Sequence, residues 1–473
     1  MSPIKFVRYQ SPLKLRLQER RVLLLVGDFI TVTIAFLLAL YLWSLEDVYL
    51  VFSTNLFRQI PGWFYLLPVF FLILISGLYD VRRAADADET LRGIAFAAII
   101  SLVAYMGIYF ISQTALPRRG VAYFFAGAVV FTLMWRISYI RIFTAPQFLR
   151  RVMLVGGGET GQIILRIIKE ITPEPFNLVG IIDDDPSKIG KNIEGYSVLC
   201  DSRRMLQIIT EFGITDLIVA ISGRMQGTMF QALLDAQEMG VDITRMPVAY
   251  EELLGRVPIR YLEADWILRS FVDQMRANVY YELAKRIVDI LGAVFGLLIL
   301  LPMSPFIAAA IVLDSGFPIF YTQVRMGKGG QLYKILKFRT MTQNAEPDGQ
   351  PKWAEENDSR ATRVGLILRK THLDEWPQFL NVLRGEMSLV GPRAERPELV
   401  EWFQQHVPFY RARLLVKPGI TGWAQVNQQY AASIPETIEK LEYDLYYIKR
   451  RNLLTDVNVL LRTPATVLGL RGR

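Results

Sequence analysis

What most constrains this chain is a set of long apolar runs that a soluble fold has no means of covering. Residues 22–43, 63–79, 94–111 and 121–140 are nearly free of charge. Each approaches the ~20 residues a helix needs to cross a bilayer. The surrounding charges are one-sided. Lys5, Arg8, Lys14, Arg16, Arg20 and Arg21 precede the first run, Arg82, Arg83 and Arg92 follow the second, and Arg141, Arg150 and Arg151 follow the fourth. Only Arg58, Arg118 and Arg119 fall in the opposite loops, so the excess of basic residues places both ends of a four-helix transmembrane bundle in the cytoplasm. The mean hydropathy of +0.26 agrees with membrane segments. Beside such segments, a net charge of +8 fits anionic headgroups and phosphorylated substrates better than nucleic acid. The first run is too long for a signal peptide and lacks a small-residue cleavage end. Asp28 lies near one end of that run, within reach of the interface. The single cysteine, Cys200, excludes an internal disulfide and sits away from every motif, as a buried or inert residue would.

The next 110 residues change character. Arg151 to Val155 is a short buried-strand pattern, followed by Gly156-Gly157-Gly158-Glu159-Thr160-Gly161 and a helical run. Strand, Gly-x-Gly-x-x-Gly and helix in that order is the setting in which the motif indicates dinucleotide binding, with Gly156, Gly158 and Gly161 at the turn. A second strand ends at Asp183, where a ribose-binding acid belongs, and a third is expected over 216–221. Residues 146–255 are therefore expected to form a Rossmann-like α/β domain, although a Gly-rich turn by itself establishes no ligand.

The third part is organised around THLDEWPQFLNVLRGEMSLVG, residues 371–391. Asp374 and Glu375 stand where a helix starts, Asp374 as N-cap and Pro377 in the first turn, with a stop at Gly385. Consecutive helical residues point about 100° apart, so the two acids can take different tasks at one helix end. Upstream, Arg325, Lys334, Lys337 and Arg339 interleave with apolar residues, and Arg363, Arg369 and Lys370 lead into the acids. Such cations suit phosphorylated substrates at a membrane surface. Downstream lie Gly391-Pro392-Arg393 and Lys417-Pro418-Gly419-Ile420-Thr421-Gly422-Trp423-Ala424-Gln425. The segment 433–451, with Tyr443, Tyr446 and Tyr447, reads as an amphipathic helix with an aromatic belt at the headgroups, and Asp444 within it as a residue that orients a base in the site.

This ordered set, TQVRMG, KILKFRTM, LDEWPQ, SLVGPR and KPGITGWAQVN, closely resembles the bacterial sugar transferase family, the polyprenyl-phosphate sugar phosphotransferases of exopolysaccharide and O-antigen synthesis. The resemblance runs from about residue 280 to the C-terminus, and the N-terminal half fits the long form. It implies a multi-domain membrane protein: a membrane domain over 1–145, the Rossmann-like domain over 146–255, a linker over 256–279, and over 280–473 an α-rich phosphoglycosyl transferase domain of monotopic type. It implies transfer of a hexose 1-phosphate from a UDP-sugar to undecaprenyl phosphate at the cytoplasmic side of a bacterial inner membrane, with release of UMP. Asp374 would be the nucleophile, forming an aspartyl-phosphosugar intermediate, and Glu375 would bind Mg²⁺. Lys337, Arg339, Arg369, Arg393 and Gln425 would contact substrate and its phosphates. Where the family often has Pro after its Gly-Pro-Arg, this chain has Ala394. A homo-oligomer is compatible with this reading.

The apolar run 290–313 is long enough to cross, but a crossing puts Asp374 on the outer side, away from a cytoplasmic nucleotide sugar. Pro302 and the pair Ser304-Pro305 offer a bend, since proline removes a backbone donor and serine can satisfy the freed carbonyl. A re-entrant helix over about 287–313, entered through Lys285 and Arg286 and broken at Ser304 and Pro305, is the expectation, and it resembles the family's membrane-dipping helix. Two other classes compete. A membrane-anchored nucleotide-sugar dehydratase or epimerase needs a Tyr-x-x-x-Lys pair, formally present at Tyr333 and Lys337. A non-enzymatic scaffold has no need of the acid pair.

Overall fold

The structure is a computed structural model that describes residues 17–46, 56–79, 81–111, 118–143, 149–172, 174–223, 225–261, 279–342, 360–428 and 433–467. The basic tail before residue 17 and the stretch 262–278 lie outside the described residues. The chain divides into two compact units, Met1–Ala249 and Tyr250–Arg473.

The first unit opens with the apolar helices. Helix α1 spans Leu17–Glu46, α3 Ala87–Ile111 and α4 Arg118–Phe143, and each contains a stretch long and apolar enough to cross a membrane. The second apolar run folds differently from the single helix expected. Its α-helical part, α2, covers only Leu66–Leu74, between 3₁₀ segments Gly62–Tyr65 and Ser76–Tyr79. Pro68 is tolerated only in a first turn, so it fixes where the α-helix begins. A 3₁₀ turn rises about 2.0 Å per residue and an α-turn 1.5 Å, so the composite laid end to end still reaches about 30 Å. Helices α1 and α4 approach closely through Ala35, Ala39, Gly127 and Ala128, where small side chains let two backbones meet. Asp28 turns into the helix bundle. It is fully buried, its Oδ2 accepts from Arg136 Nη2 at 2.6 Å, and Arg136 Nη1 donates to Leu78 O at 2.9 Å. A charge at that depth persists only when paired, and Arg136 is the partner that the sequence reading passed over.

The α/β part of this unit matches expectation in outline. Strands β1 (Arg151–Val155), β2 (Asn177–Ile182), β3 (Asn192–Ile193), β4 (Tyr196–Cys200), β5 (Asp216–Val219) and β6 (Asp242–Arg245) form one sheet in the order β3-β4-β2-β1-β5-β6, parallel except for β3. Helix α5 (Glu159–Glu170) follows β1, α6 (Met205–Phe212) follows β4 and α7 (Gly227–Glu238) follows β5. Gly156 needs its φ of +102°, and a Cβ there would lie 2.8 Å from Ala220 O. Cys200 is buried in this core, and burial pushes its thiol up to about 11, as expected of an inert cysteine.

The second unit is built around helix α8, Val279–Ser315. It is followed by the antiparallel pair β7 (Phe320–Met326) and β8 (Leu332–Phe338), helix α9 (Arg363–Lys370) and helix α10 (Phe379–Arg384). Strands β9 (Ser388–Val390) and β10 (Gly419–Thr421) pair in parallel, and α11 (Ile434–Arg450) closes the core. Two expectations change here. Residues 256–261, assigned to a linker, join this core, with Val257 at 0% and Ile259 at 3% exposure. Helix α11 is no surface helix: Leu441, Leu445, Tyr447 and Ile448 are buried, and Tyr447 Oη donates to Asp456 Oδ1 at 2.7 Å. A tyrosine with an internal acceptor has no need of headgroups.

Helix α8 meets the rest of its unit along its whole length. Near its start, Arg286 donates to Val382 O at 2.7 Å and Leu383 O at 2.8 Å, capping the C-terminal end of α10. Lys285 reaches Asp456 and Val390 O, and Asp289 Oδ1 accepts from Ser388 Oγ and Leu389 N, both at 2.9 Å. Lys285 and Arg286 thus turn inward to the fold. Gly296 lies against the Phe379 ring with no room for a Cβ. At the far end, Arg339 Nη2 donates to Ser315 O at 2.7 Å and also to Gly316 O, and Asp314 Oδ2 accepts from Val364 N at 2.9 Å. Between these anchors, Pro305 cannot donate to Leu301 O, and Ser304 Oγ donates to that carbonyl instead at 2.9 Å. The other face is apolar and exposed, from Leu283 through Leu291, Phe295 and Leu298 to Phe306 and Leu313.

Candidate active site

The acid pair sits where the sequence places it, in a tighter helix than expected. Leu373–Gln378 is a 3₁₀ helix that continues into α10. Pro377 has no N–H to complete an α-turn back to Leu373, so the first turns wind 3₁₀. Asp374 is inside this turn and not its cap. The residue before it, His372, takes a left-handed φ of +53° and makes no side-chain cap. Gly385, at φ +83°, ends α10 as expected.

The two carboxylates have opposite environments, although each is 8% exposed. Glu375 Oε1 accepts from Lys337 Nζ at 2.7 Å and from Arg393 Nη2 at 2.6 Å, while Oε2 is 3.4 Å from Arg393 Nη1. Burial alone raises its pKa, but the guanidinium and the ammonium outweigh it and hold the carboxyl well below the usual range. Asp374 receives no hydrogen bond from any described residue. Burial and then the Glu375 charge push its pKa upward, only partly offset by Lys337, Arg393 and His372. One acid is clamped and the other is bare.

Each clamp residue is placed by its element. Lys337 comes from β8, which Asn381 of α10 ties to the acid helix: its Nδ2 donates to Lys334 O at 2.8 Å and its Oδ1 accepts from Leu336 N at 3.1 Å. Sequence reasoning missed Asn381. The available signal was an amide inside the apolar stretch FLNVL, fully buried in the fold. Arg393 follows the Gly391-Pro392 turn after β9, and its backbone bridges to Gly419. A Cβ at Gly391, Gly419 or Gly422 would collide with the facing backbone, so the KPGITG loop buttresses this turn. Lys337, Glu375, Gln378, Arg393 and Arg325 line one pocket.

The remaining sequence candidates do not converge on the acids. Arg339 is occupied with the carbonyls at the end of α8, Arg369 Nε donates to Thr340 Oγ1 at 3.2 Å, and Gln425 Nε2 donates to Ile420 O at 3.0 Å. None of the three hydrogen-bonds to either carboxylate. In the α/β part, Asp183 is likewise committed. Its Oδ2 accepts from Gly157 N at 2.8 Å and Lys188 Nζ at 2.9 Å, and Ile193 lies over Gly157. The glycine-loop N–H and the acid expected to read a ribose are therefore bonded to each other. Tyr333 and Lys337 lie four residues apart on a strand, about 13 Å along it, with Lys337 on Glu375 and the Tyr333 phenol pushed up by burial to a value far from any base at neutral pH. Tyr333 and Lys337 therefore do not form a dehydratase pair.

Comparisons with known proteins follow the same division. A family model described as bacterial sugar transferase matches residues 280–469, and one described as a CoA-binding domain matches residues 74–247. The chain is 42% identical over 218 residues to a UDP-N-acetylgalactosamine-undecaprenyl-phosphate N-acetylgalactosaminephosphotransferase of Aeromonas hydrophila, across 46% of this chain and 50% of that protein. It is 28% identical over 408 residues to a UDP-glucose:undecaprenyl-phosphate glucose-1-phosphate transferase of Xanthomonas campestris pv. campestris, across 82% and 81%. A protein of the same description from Caulobacter vibrioides is 39% identical over 196 residues, across 40% of this chain and 72% of that one. The chain thus spans half the length of the first of these relatives and most of the other two. A specific family match over the acid pair, its clamp and the membrane helix, with relatives aligned through the same segment, identifies this chain as a member of the bacterial sugar transferase family.

Proposed function

We propose that this protein transfers a hexose 1-phosphate from a UDP-sugar to undecaprenyl phosphate, releasing UMP and leaving a polyprenyl diphospho-sugar. The observation that carries the reading is the contrast between a bare, desolvated Asp374 and a Glu375 neutralised by Lys337 and Arg393. Two carboxylates alone would repel a diphosphate. Two cations at hydrogen-bond distance from Glu375 cancel that repulsion while leaving the Asp374 oxygens unengaged. A carboxylate short of hydrogen-bond donors keeps its lone pairs for a substrate. Asp374 attacks the β-phosphorus, the bond from that phosphorus to the bridging oxygen breaks, and UMP leaves with the bond electrons. A phosphate oxygen of undecaprenyl phosphate then attacks the acyl phosphate and the Asp374 carboxylate is regenerated. Arg393 and Lys337 face the phosphate oxygens as charge moves to UMP.

Mg²⁺ fits the same reading. It is commonly held by one or two carboxylates together with substrate phosphates. Glu375 Oε2, which lies 3.4 Å from Arg393 Nη1, would supply the carboxylate oxygen beside the substrate phosphates. Bound there, the ion would neutralise diphosphate charge. The test is UMP release by the purified protein from a panel of UDP-sugars, with Mg²⁺ and polyprenyl phosphate. Lipid-dependent release from one donor is expected and also names the sugar; absence of UMP from every donor in folded protein overturns the proposal.

The same proposal has α8 enter and leave the membrane on the cytoplasmic side. Its support is that Arg286 and Asp314, near opposite ends of a helix that would measure about 55 Å if straight, both bond within one compact unit, with Ser304 and Pro305 between them. In a Cys200→Ser background, cysteines placed at Leu283 and at Phe317 are expected to react with an impermeant reagent from the same side. Labelling from opposite sides would establish a crossing.

A further inference from the structure

The clamp on Glu375 depends on where Arg393 begins as well as where it ends. Its side chain is long and 42% exposed, and its guanidinium is held at its tip by the Glu375 carboxylate. Its backbone is held much more firmly. On one side the Arg393 bridge to Gly419 is reinforced by Gly419 N donating to Pro392 O at 2.9 Å. On the other, a second arginine reaches the same residue. Arg413, in the 3₁₀ segment Tyr410–Leu415, is 6% exposed and donates from Nη2 to Arg393 O at 3.0 Å. Its other two nitrogens are also bonded: Nε donates to Asp444 Oδ2 at 2.8 Å and Nη1 to Tyr410 Oη at 2.6 Å. Asp444, on α11, is 1% exposed. Glu395 completes the layer, with Oε1 accepting from Lys440 Nζ at 2.8 Å and lying 3.7 Å from Arg413 Nη1. Its carboxyl is lowered to about 2: burial raises it, and Lys440 and Arg413 outweigh that.

Burying an arginine and an aspartate in this way is a poor route to stability, because desolvating both ions offsets most of their attraction. What the pair supplies is direction. A guanidinium is a planar fork, and with Asp444 fixing one edge its other edge can aim at only one carbonyl.

We propose that Asp444 and Arg413 are positioning residues for the transfer reaction, which hold the Arg393 peptide so that its guanidinium meets Glu375 and the donor diphosphate. The chain of contacts runs Asp444, Arg413, Arg393 backbone, Arg393 side chain, Glu375. This inference rests on the function proposed above. Only the donor carries a diphosphate and a departing UMP, so a misplaced Arg393 slows the first half-reaction more than the second.

Double-displacement kinetics separate the two halves, since kcat/KM for the nucleotide sugar reports the first and kcat/KM for polyprenyl phosphate the second. In Asp444→Asn, and independently in Arg413→Lys, kcat/KM for the nucleotide sugar is expected to fall about 100-fold, with the value for polyprenyl phosphate within about threefold of wild type. Loss of folded protein lowers both by the same factor. The control is Lys449→Met on the same helix, which breaks the equally buried contact of Lys449 Nζ with Glu251 Oε1 at 2.6 Å and leaves the ratio of the two constants unchanged. Equal falls in both constants for Asp444→Asn and Arg413→Lys, or wild-type values in both, overturn the positioning role while leaving the transferase intact. A wild-type protein without UMP release overturns the underlying function instead.

Discussion

Asp374→Asn is expected to lower UMP release by at least about 10³-fold and to leave the protein at least as stable as wild type. The first effect follows from the role proposed for Asp374 as nucleophile, since an amide cannot form the acyl phosphate. The second follows from the direction of the Asp374 shift. Its pKa is raised in the fold by burial and by Glu375, so the ionised form is the one that folding opposes. Wild-type stability therefore declines as pH rises from the ordinary aspartate value of about 3.9 through the raised one. Asparagine has no such penalty, so the Tm of the variant should exceed wild type by a margin that widens from acid to neutral pH. A variant with wild-type activity would remove Asp374 from the chemistry. One that is inactive with a much lower Tm would show that its carboxylate holds the fold together.

Glu375→Gln is expected to do the reverse to stability while also damaging activity. Lys337 Nζ and the Arg393 guanidinium both end on this carboxylate, so a neutral amide leaves two cations facing each other. Breaking a buried ion pair from one side costs several kcal/mol, but Arg393 is half-exposed and solvent screens part of the loss, so about 2 kcal/mol is the expected drop. Turnover should fall about 100-fold, as phosphate-directed charges lose their geometry. The folded pKa of Glu375 is depressed, so its stabilisation is complete above the ordinary glutamate value of about 4.3 and is lost as pH falls from there toward the folded value. Chemical denaturation at neutral pH and in acid reads this directly: the gap between wild type and variant should close in acid. A gap unchanged with pH would mean that the two cations do not stabilise the charged form.

How much of this was legible in the chain depended on the range of the interaction. The strand-turn-helix at Gly156, the stop at Gly385 and three of the four N-terminal apolar runs are set by neighbours in sequence and appear in the fold as read. The acid pair was also legible, but the pairing of Lys337 and Arg393 with Glu375 was not: the sequence pointed both cations at substrate phosphates. Nor was Arg339. It lies two residues from Lys337, yet its guanidinium turns to the carbonyls of Ser315 and Gly316, because which face a basic residue presents is decided by what is packed beside it. The tyrosines of α11 misled for a related reason: amphipathic spacing looks the same whether the apolar face meets lipid or a protein core. Asn381 and Arg136 were overlooked since each interrupts an apolar helix, and only the fold supplies the distant partners that make them affordable: the backbone of β8 for one, Asp28 for the other.

The anchoring of α8 carries a consequence for how lipid and catalysis are joined. Arg286 bonds to the helix that carries the acids, Asp289 to the strand that leads to Arg393, and Arg339 to the far end from a position two residues beyond Lys337. All three elements that bring charge to the site are therefore fastened to the one helix whose opposite face is apolar. Under the membrane placement proposed for α8, a change in bilayer thickness or lateral pressure is expected to move the mounting points of the two acids and their cations together. On the proposed function, the membrane is then a mechanical component of this site, setting its alignment as well as delivering the acceptor.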